Sequence, residues 1–136
     1  MKQGAGVLLI KDGKVLLVKA GIKSKQPTGQ ISFPGGTIEE GESEEQAARR
    51  EFTEETGLTA GALEEFPGNR VEGVVKRKDG EAVFGWTVFL TDEYQGELRA
   101  TEETEPLWAD LDEAQKMPLY GKNNQILDDA IKFLHR

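Results

Sequence analysis

Short apolar strands outnumber helices in this sequence, which predicts an α+β fold: a mixed central sheet with helices on both faces. Three observations carry that expectation. Val7–Ile10 and Val15–Val18 are almost continuously apolar, as strands covered on both faces are. Ser43–Thr56 carries strong helix start and stop signals in the middle of the chain. Ile126, Leu127, Ala130, Ile131 and Leu134 form a second helical stripe at a 3.6-residue period near the end.

The 136 residues are expected to form one domain, 1–136, long enough to bury about two-thirds of the unfolded surface. A net charge of −8 disfavours nucleic-acid polymers and anionic membranes, which need a basic face. It also repels polyphosphates unless bound cations invert the local field. Without cysteine there are no disulfides or thiolate metal sites, and a lone His makes a poor zinc centre. The early apolar run Ala5–Ile10 is broken by Lys11-Asp12, too short for a signal-peptide core or a membrane span. The expected location is the cytoplasm.

In chain order, Val7–Ile10 and Val15–Val18 flank a tight turn at Asp12-Gly13. Ala20–Gln30 is polar and reads as a mobile loop, its lysines Lys19, Lys23 and Lys25 either solvated or set near substrate phosphates. Ile31–Phe33 is a short strand leading to Pro34-Gly35-Gly36, where the chain breaks. Ala62–Phe66 and Val71–Val75 are expected strands with a bend at Pro67-Gly68-Asn69. Lys78-Asp79-Gly80-Glu81 marks a hairpin turn before the strand Val83–Thr91, where Gly85 signals a bulge or a close backbone approach. Asp92–Glu103 is acidic and turn-like, Leu107-Trp108-Ala109 extended, and Leu111–Met117 a short helix. After the loop Met117–Gly121, the last helix is expected to begin at Asn124.

The central helix carries the chemistry. Ser43 with Gln46 makes a capping box, Glu44 and Glu45 suit the helix dipole, and Gly57 supplies the stop. Glu51, Glu54 and Glu55 stand at i, i+3 and i+4, so their carboxylates share one face. Their repulsion costs a few tenths of a kcal/mol per pair, roughly, on an exposed helix. A hard divalent cation, Mg²⁺ or Mn²⁺, relieves it. A solvated acidic face is the plainer alternative, and helix periodicity alone favours it.

The wider spacing decides between them. Gly36, Glu42, Arg50, Glu51, Phe52, Glu54, Glu55, Gly57 and Leu58 fill the pattern Gly-x5-Glu-x7-Arg-Glu-U-x-Glu-Glu-x-Gly-U, with U bulky and apolar. At roughly one in twenty per residue, its seven fixed positions match by chance about once in 10⁹ placements. This resembles the Nudix box; the mild departure is Phe52, where the family more often has an aliphatic residue. The resemblance implies an α-β-α sandwich and metal-dependent hydrolysis of a nucleoside diphosphate linked to another group. It also implies that Glu51, Glu54, Glu55 and the backbone carbonyl of Gly35 hold the metal, that Arg50 orients Glu51, and that Glu42 and Gly57 are structural. Gly36 falls beside the substrate.

Beyond the box, Val88–Asp92, Gln95-Gly96, Pro106 and Trp108 resemble the MutT-type branch, which hydrolyses oxidised purine nucleoside triphosphates such as 8-oxo-dGTP. By that resemblance Glu103 takes the place of a further metal-binding or base carboxylate, with Glu102 and Glu105 as competitors. Tyr120 stands for a base-contacting aromatic, while Lys122 and Asn123 occupy positions where vertebrate relatives have aspartates. Asn123 or Asn124 could read a purine edge instead, since an amide offers donor and acceptor; Asn124 as cap of the last helix is the alternative.

The implied substrate is a nucleoside triphosphate, cleaved to the monophosphate and pyrophosphate, handled by a monomer or homodimer. ADP-ribose and dinucleoside polyphosphates are the alternatives within the class, although Gly73 stands where many ADP-ribose hydrolases have proline. A non-catalytic nucleotide-binding regulator is the alternative outside it. Such modules usually lose box acids, and none is lost here.

Overall fold

The computed structural model describes residues 1–136. Strands β1 (Lys2–Lys11), β2 (Lys14–Ala20), β3 (Ile31–Ser32) and β4 (Gly35–Thr37) lead into helix α1 (Glu44–Thr56). Then follow β5 (Leu58–Ala60), β6 (Arg70–Arg77), β7 (Gly80–Thr91), β8 (Tyr94–Gly96) and β9 (Thr104–Asp110). Helices α2 (Leu111–Lys116) and α3 (Asn123–Leu134) close the chain.

The main sheet runs β3-β2-β1-β7-β6, with β4 pairing β1 and β9 pairing β2. Only β1 and β7 are parallel, Lys2 facing Phe84 through Leu9 facing Thr91, so the sheet is mixed. Alternation along β1 divides the core. Ala5, Val7 and Leu9 meet Ala47, Ala48 and Phe52 of α1, while Leu8 and Ile10 meet Ile126, Leu127 and Ala130 of α3. That explains the unbroken apolar run, and the α-β-α arrangement follows from it. Phe52 is fully buried and anchors α1 to the sheet, a burial that contributes about 1.5–3 kcal/mol.

Helix α1 is capped at both ends as its sequence demands. The Ser43 hydroxyl accepts from the Gln46 N–H and the Gln46 side chain accepts from the Ser43 N–H. At the other end Gly57 is left-handed at φ 82°, and a side chain there would overlap Arg99 and the Glu97 carbonyl.

Several boundaries differ from expectation. β1 begins at Lys2 because Gly4 and Gly6 extend it: the Trp86 ring and the Pro34 carbonyl lie where side chains would be. Ala62–Phe66 is not a strand. One bridge, Glu64 to Leu90, remains, and the strand in that region is β5, paired with β8 inside the stretch read as turn-like. Three-residue strands are too short to show alternation, and Gly57 turns the chain straight into β5. β4 pairs with β1 where the sequence read only a loop. Gly85 keeps register on both sides, so it marks close approach, its Cβ position lying on the Gln3 side chain. Helix α3 starts at Asn123, with Lys122 at the cap, one residue before the expected start.

Candidate active site

The outward face of α1 is organised by Arg50. Its Nε donates to one Glu42 oxygen at 2.7 Å and its Nη2 to the other at 2.9 Å, a bidentate pair. Nη1 donates to Glu51 at 2.9 Å and to Glu54 at 3.3 Å, and Nη2 also reaches the Thr37 carbonyl at 3.1 Å. The Arg50 bonds, with the Glu39 N–H, draw the Glu42 pKa down to about 2. The same partners, Glu42 first, push Arg50 above its ordinary value.

Glu51 and Glu55 have the opposite problem. Burial raises both, and for Glu55 the Glu51 charge beside it and Glu103 push further, to well above the usual carboxylate range. Arg50 moderates the rise at Glu51, and the Gly35 N–H, donating to Glu55 at 2.9 Å, moderates it at Glu55. The two carboxyl groups are close enough to share a proton. Glu54 stands apart, 57% exposed and in contact with Arg50. No three acids converge on one point, so the helix-face spacing overstates how closely the trio gathers.

The glycines fit around the acids. A side chain on Gly36 would overlap the Glu51 carboxylate, so the glycine makes room for Glu51. Gly35 approaches Ala5 and Gly6 too closely for any side chain, and the contact it makes with the acids is through its N–H. The Thr104 hydroxyl donates to the Glu55 carbonyl at 3.0 Å, tying β9 to the end of α1. Of the competing acids on that segment, Glu103 is the one whose charge acts on Glu55, while Glu102 pairs with Lys23 and Glu105 lies opposite Lys19.

Gly35 also borders a small, open cleft walled by Phe33, Trp86, Val88 and Tyr120, with Gln26 and Asn123 at its polar edge. Tyr120 is buried, and its hydroxyl donates to the Lys76 carbonyl at 2.7 Å. Asn123 accepts the Phe33 N–H at 2.9 Å, which leaves its amide NH₂ free. Asn124 does not join them. It donates to the Met117 carbonyl and accepts from the Leu119 N–H, so both ends of its amide hold the 117–119 loop. That corrects both readings of Asn124, as base reader and as helix cap. Sequence reasoning missed Trp86 and Gln26. The signal for Trp86 was parity: with Phe84 and Val88 it lies on the α3 side of β7, and it stacks on Phe84 at 5.2 Å.

A crowded, buried carboxyl pair must keep a proton or receive a cation. Its hard oxygen donors suit a divalent ion, so the residues present fit one.

The α-β-α sandwich thus carries an Arg-braced carboxylate helix beside an aromatic cleft. The NUDIX domain family model matches residues 1–130, and the chain belongs to that family. It is 35% identical over 107 residues to the oxidized purine nucleoside triphosphate hydrolase of Danio rerio, covering 78% of this chain and 64% of that protein. It is 31% identical to the CTP pyrophosphohydrolase of Escherichia coli, covering 94% of this chain and 90% of the relative. Among solved structures, the MutT NUDIX hydrolase from Burkholderia pseudomallei superimposes with a TM-score of 0.78 at 26% identity, covering 94% and 96% of the two chains. The protein is therefore a Nudix hydrolase acting on nucleotide pyrophosphate bonds, a class that uses divalent cations. No helix is long and apolar enough to cross a membrane.

Proposed function

We propose that this chain is a nucleoside triphosphate pyrophosphohydrolase, releasing a nucleoside monophosphate and pyrophosphate with Mg²⁺ or Mn²⁺. One observation carries the reading. Gly35 binds Glu55 through its N–H and borders the aromatic cleft, so a base and its phosphates can be held by adjoining walls.

In phosphoryl transfer the protein mainly positions groups and neutralises charge. A bound cation would supply Lewis acidity toward the phosphate oxygens and ease deprotonation of water. The buried pair Glu51 and Glu55 would hold it, with Glu54 at the exposed edge and Gly35 alongside. Arg50 fixes Glu51, and Glu42 fixes Arg50. Glu103, exposed beside Glu55, is the carboxylate available to accept a proton from the attacking water. Trp86 and Tyr120 offer faces for stacking, and the free Asn123 amide offers a donor to a base edge.

An oxidised purine nucleoside triphosphate such as 8-oxo-dGTP is one candidate substrate, a class supported by the name of the Danio rerio relative, and the Escherichia coli relative makes CTP another. The net charge of −8 fits a free nucleotide rather than a polymer, handled in the cytoplasm by a monomer or homodimer. The test is a panel of NTPs, oxidised dNTPs, ADP-ribose and dinucleoside polyphosphates with Mg²⁺ or Mn²⁺ and product analysis. Monophosphate plus pyrophosphate from a triphosphate is the expected result. Turnover confined to ADP-ribose or dinucleoside polyphosphates would replace the reading.

A further inference from the structure

We propose that Lys78, in the turn between β6 and β7, is a positioning residue for the reaction. It pins the segment Gly21–Gln26, which links the acid cluster to the cleft, so the proposal rests on the roles given above to Glu103 and the cleft.

Between β2 and β3 no residue from Gly21 to Gln30 is buried, and Ile22 is 83% exposed. The segment has no apolar anchor, so polar bonds fix its course. On one side the Gly21 N–H donates to the Glu103 carbonyl at 2.7 Å and the Lys23 N–H to the Glu102 carbonyl at 3.3 Å. The Lys23 ammonium also pairs with the Glu102 carboxylate at 2.5 Å. Gly21 lies so close to the chain before β9 that a side chain would overlap the Glu102 carbonyl. At its far end Gln26 borders the cleft, where its side-chain oxygen accepts from Ser32 at 3.5 Å.

Within the segment the Ser24 N–H donates to the Gly21 carbonyl at 3.2 Å and the Gln26 N–H to the Ser24 hydroxyl at 3.1 Å, and the other bonds come from Lys78. Its backbone N–H donates to the Lys25 carbonyl at 3.0 Å. Its ammonium donates to the Ile22 carbonyl at 2.5 Å and to the Gly21 carbonyl at 3.4 Å. An ammonium has three donors on one compact head and can serve two carbonyls together. Charge-assisted bonds of this kind are the strong ones. Lys78 thus grips the peptide next to the one that holds Glu103, and the residue just before Gln26. It is not among the residues bordering the cleft, so any effect on catalysis passes through the segment.

A segment expected to be mobile is therefore tied down at both borders of the site. Displacing a positioned group by about 1 Å can cost 10²-fold in rate, and loss of the ammonium, which bonds the Gly21 and Ile22 carbonyls, displaces the Glu103 side of the segment modestly. Lys78→Met keeps the backbone bond to Lys25 and is expected to lower kcat/KM about 10-fold, chiefly by lowering kcat through Glu103. Lys78→Arg, whose guanidinium also offers several donors, should recover most of the loss.

Limited trypsin digestion of the nucleotide-free protein gives a readout independent of activity. Cleavage after Lys23 and Lys25, assigned by mass spectrometry, should accelerate in Lys78→Met and return toward wild type in Lys78→Arg. Lys78→Gln, which keeps a donor group, replaces the Met variant should that one fail to fold. Unchanged cleavage, or faster cleavage with unchanged kcat and KM, overturns the proposal. A wild-type protein inactive on every nucleotide overturns the functional reading instead, and the digestion still decides whether Lys78 pins the segment.

Discussion

Glu55 and Glu51, one turn apart on α1, carry carboxyl groups close enough to share a proton, and burial keeps both from ionising at their ordinary pH. Such a pair is an acid with its pKa raised in the folded state. It stabilises the fold while protonated, and that contribution declines as pH climbs from the usual carboxylate range through the raised value. Glu55→Gln keeps an oxygen for the Gly35 N–H and removes the charge. Above neutrality the metal-free variant should therefore melt higher than metal-free wild type, with the gap closing near pH 4. Melting curves at four pH values in EDTA check this. A lower Tm for the variant at pH 8 would mean that the carboxylate itself holds the fold.

The same pair sets the expected cation dependence. A divalent ion competes with the shared proton, so binding should release protons and tighten as pH rises. Titration calorimetry of Mg²⁺ in two buffers of different ionisation enthalpy measures the release directly. Activity should be absent after EDTA treatment, return with Mg²⁺ or Mn²⁺, and favour alkaline pH. Turnover that survives chelation would remove the mechanism.

Glu42 behaves oppositely. With its pKa drawn down to about 2, its bond to Arg50 stabilises the fold fully above the ordinary carboxylate pKa and is lost as pH falls toward 2. Glu42→Gln should lower the denaturation midpoint at pH 6 and match wild type near pH 2. Arg50→Lys retains charge and loses the bidentate geometry. Because Arg50 orients Glu51, that variant should lose about 10–100-fold in activity, mostly in kcat. An unaffected kcat would make Arg50 a brace for the loop alone.

The sequence already showed the capped helix, its acids and the two-faced strands, because each rests on local signals: Ser43 with Gln46, Gly57, and the unbroken apolar run within β1. It overstated the gathering of Glu51, Glu54 and Glu55. Helical spacing places Cβ atoms and says nothing of which carboxylate an arginine draws away; Arg50 sits beside Glu54 and leaves Glu55 to Glu51. The cleft was less legible. Trp86 and Gln26 come from a strand and a polar loop that meet only in the folded chain. Asn123 and Asn124, adjacent and chemically identical, take opposite roles: one bonds the distant Phe33 backbone, the other the nearby Leu119 and Met117.

That difference between the two asparagines gives the last prediction. Asn124 uses both ends of its amide on the Met117 and Leu119 backbone, so Asn124→Ala leaves those groups unpaired and should cost about 1–3 kcal/mol of stability. Its relative kcat/KM among nucleotides should not move. Asn123 has its oxygen on the Phe33 N–H and its NH₂ free at the cleft, so Asn123→Ala should compress the differences between bases. Tyr120→Phe loses only the bond to Lys76, costing about 1 kcal/mol of stability. Tyr120→Ala also loses an aromatic face worth about 1–3 kcal/mol, so it should raise KM for every nucleotide about 5–150-fold. Kinetics on GTP, ATP, CTP and UTP, read beside Tm for all four variants, separate the roles. If Asn123→Ala changes Tm alone while base ratios stay fixed, the cleft does not read the base through that amide.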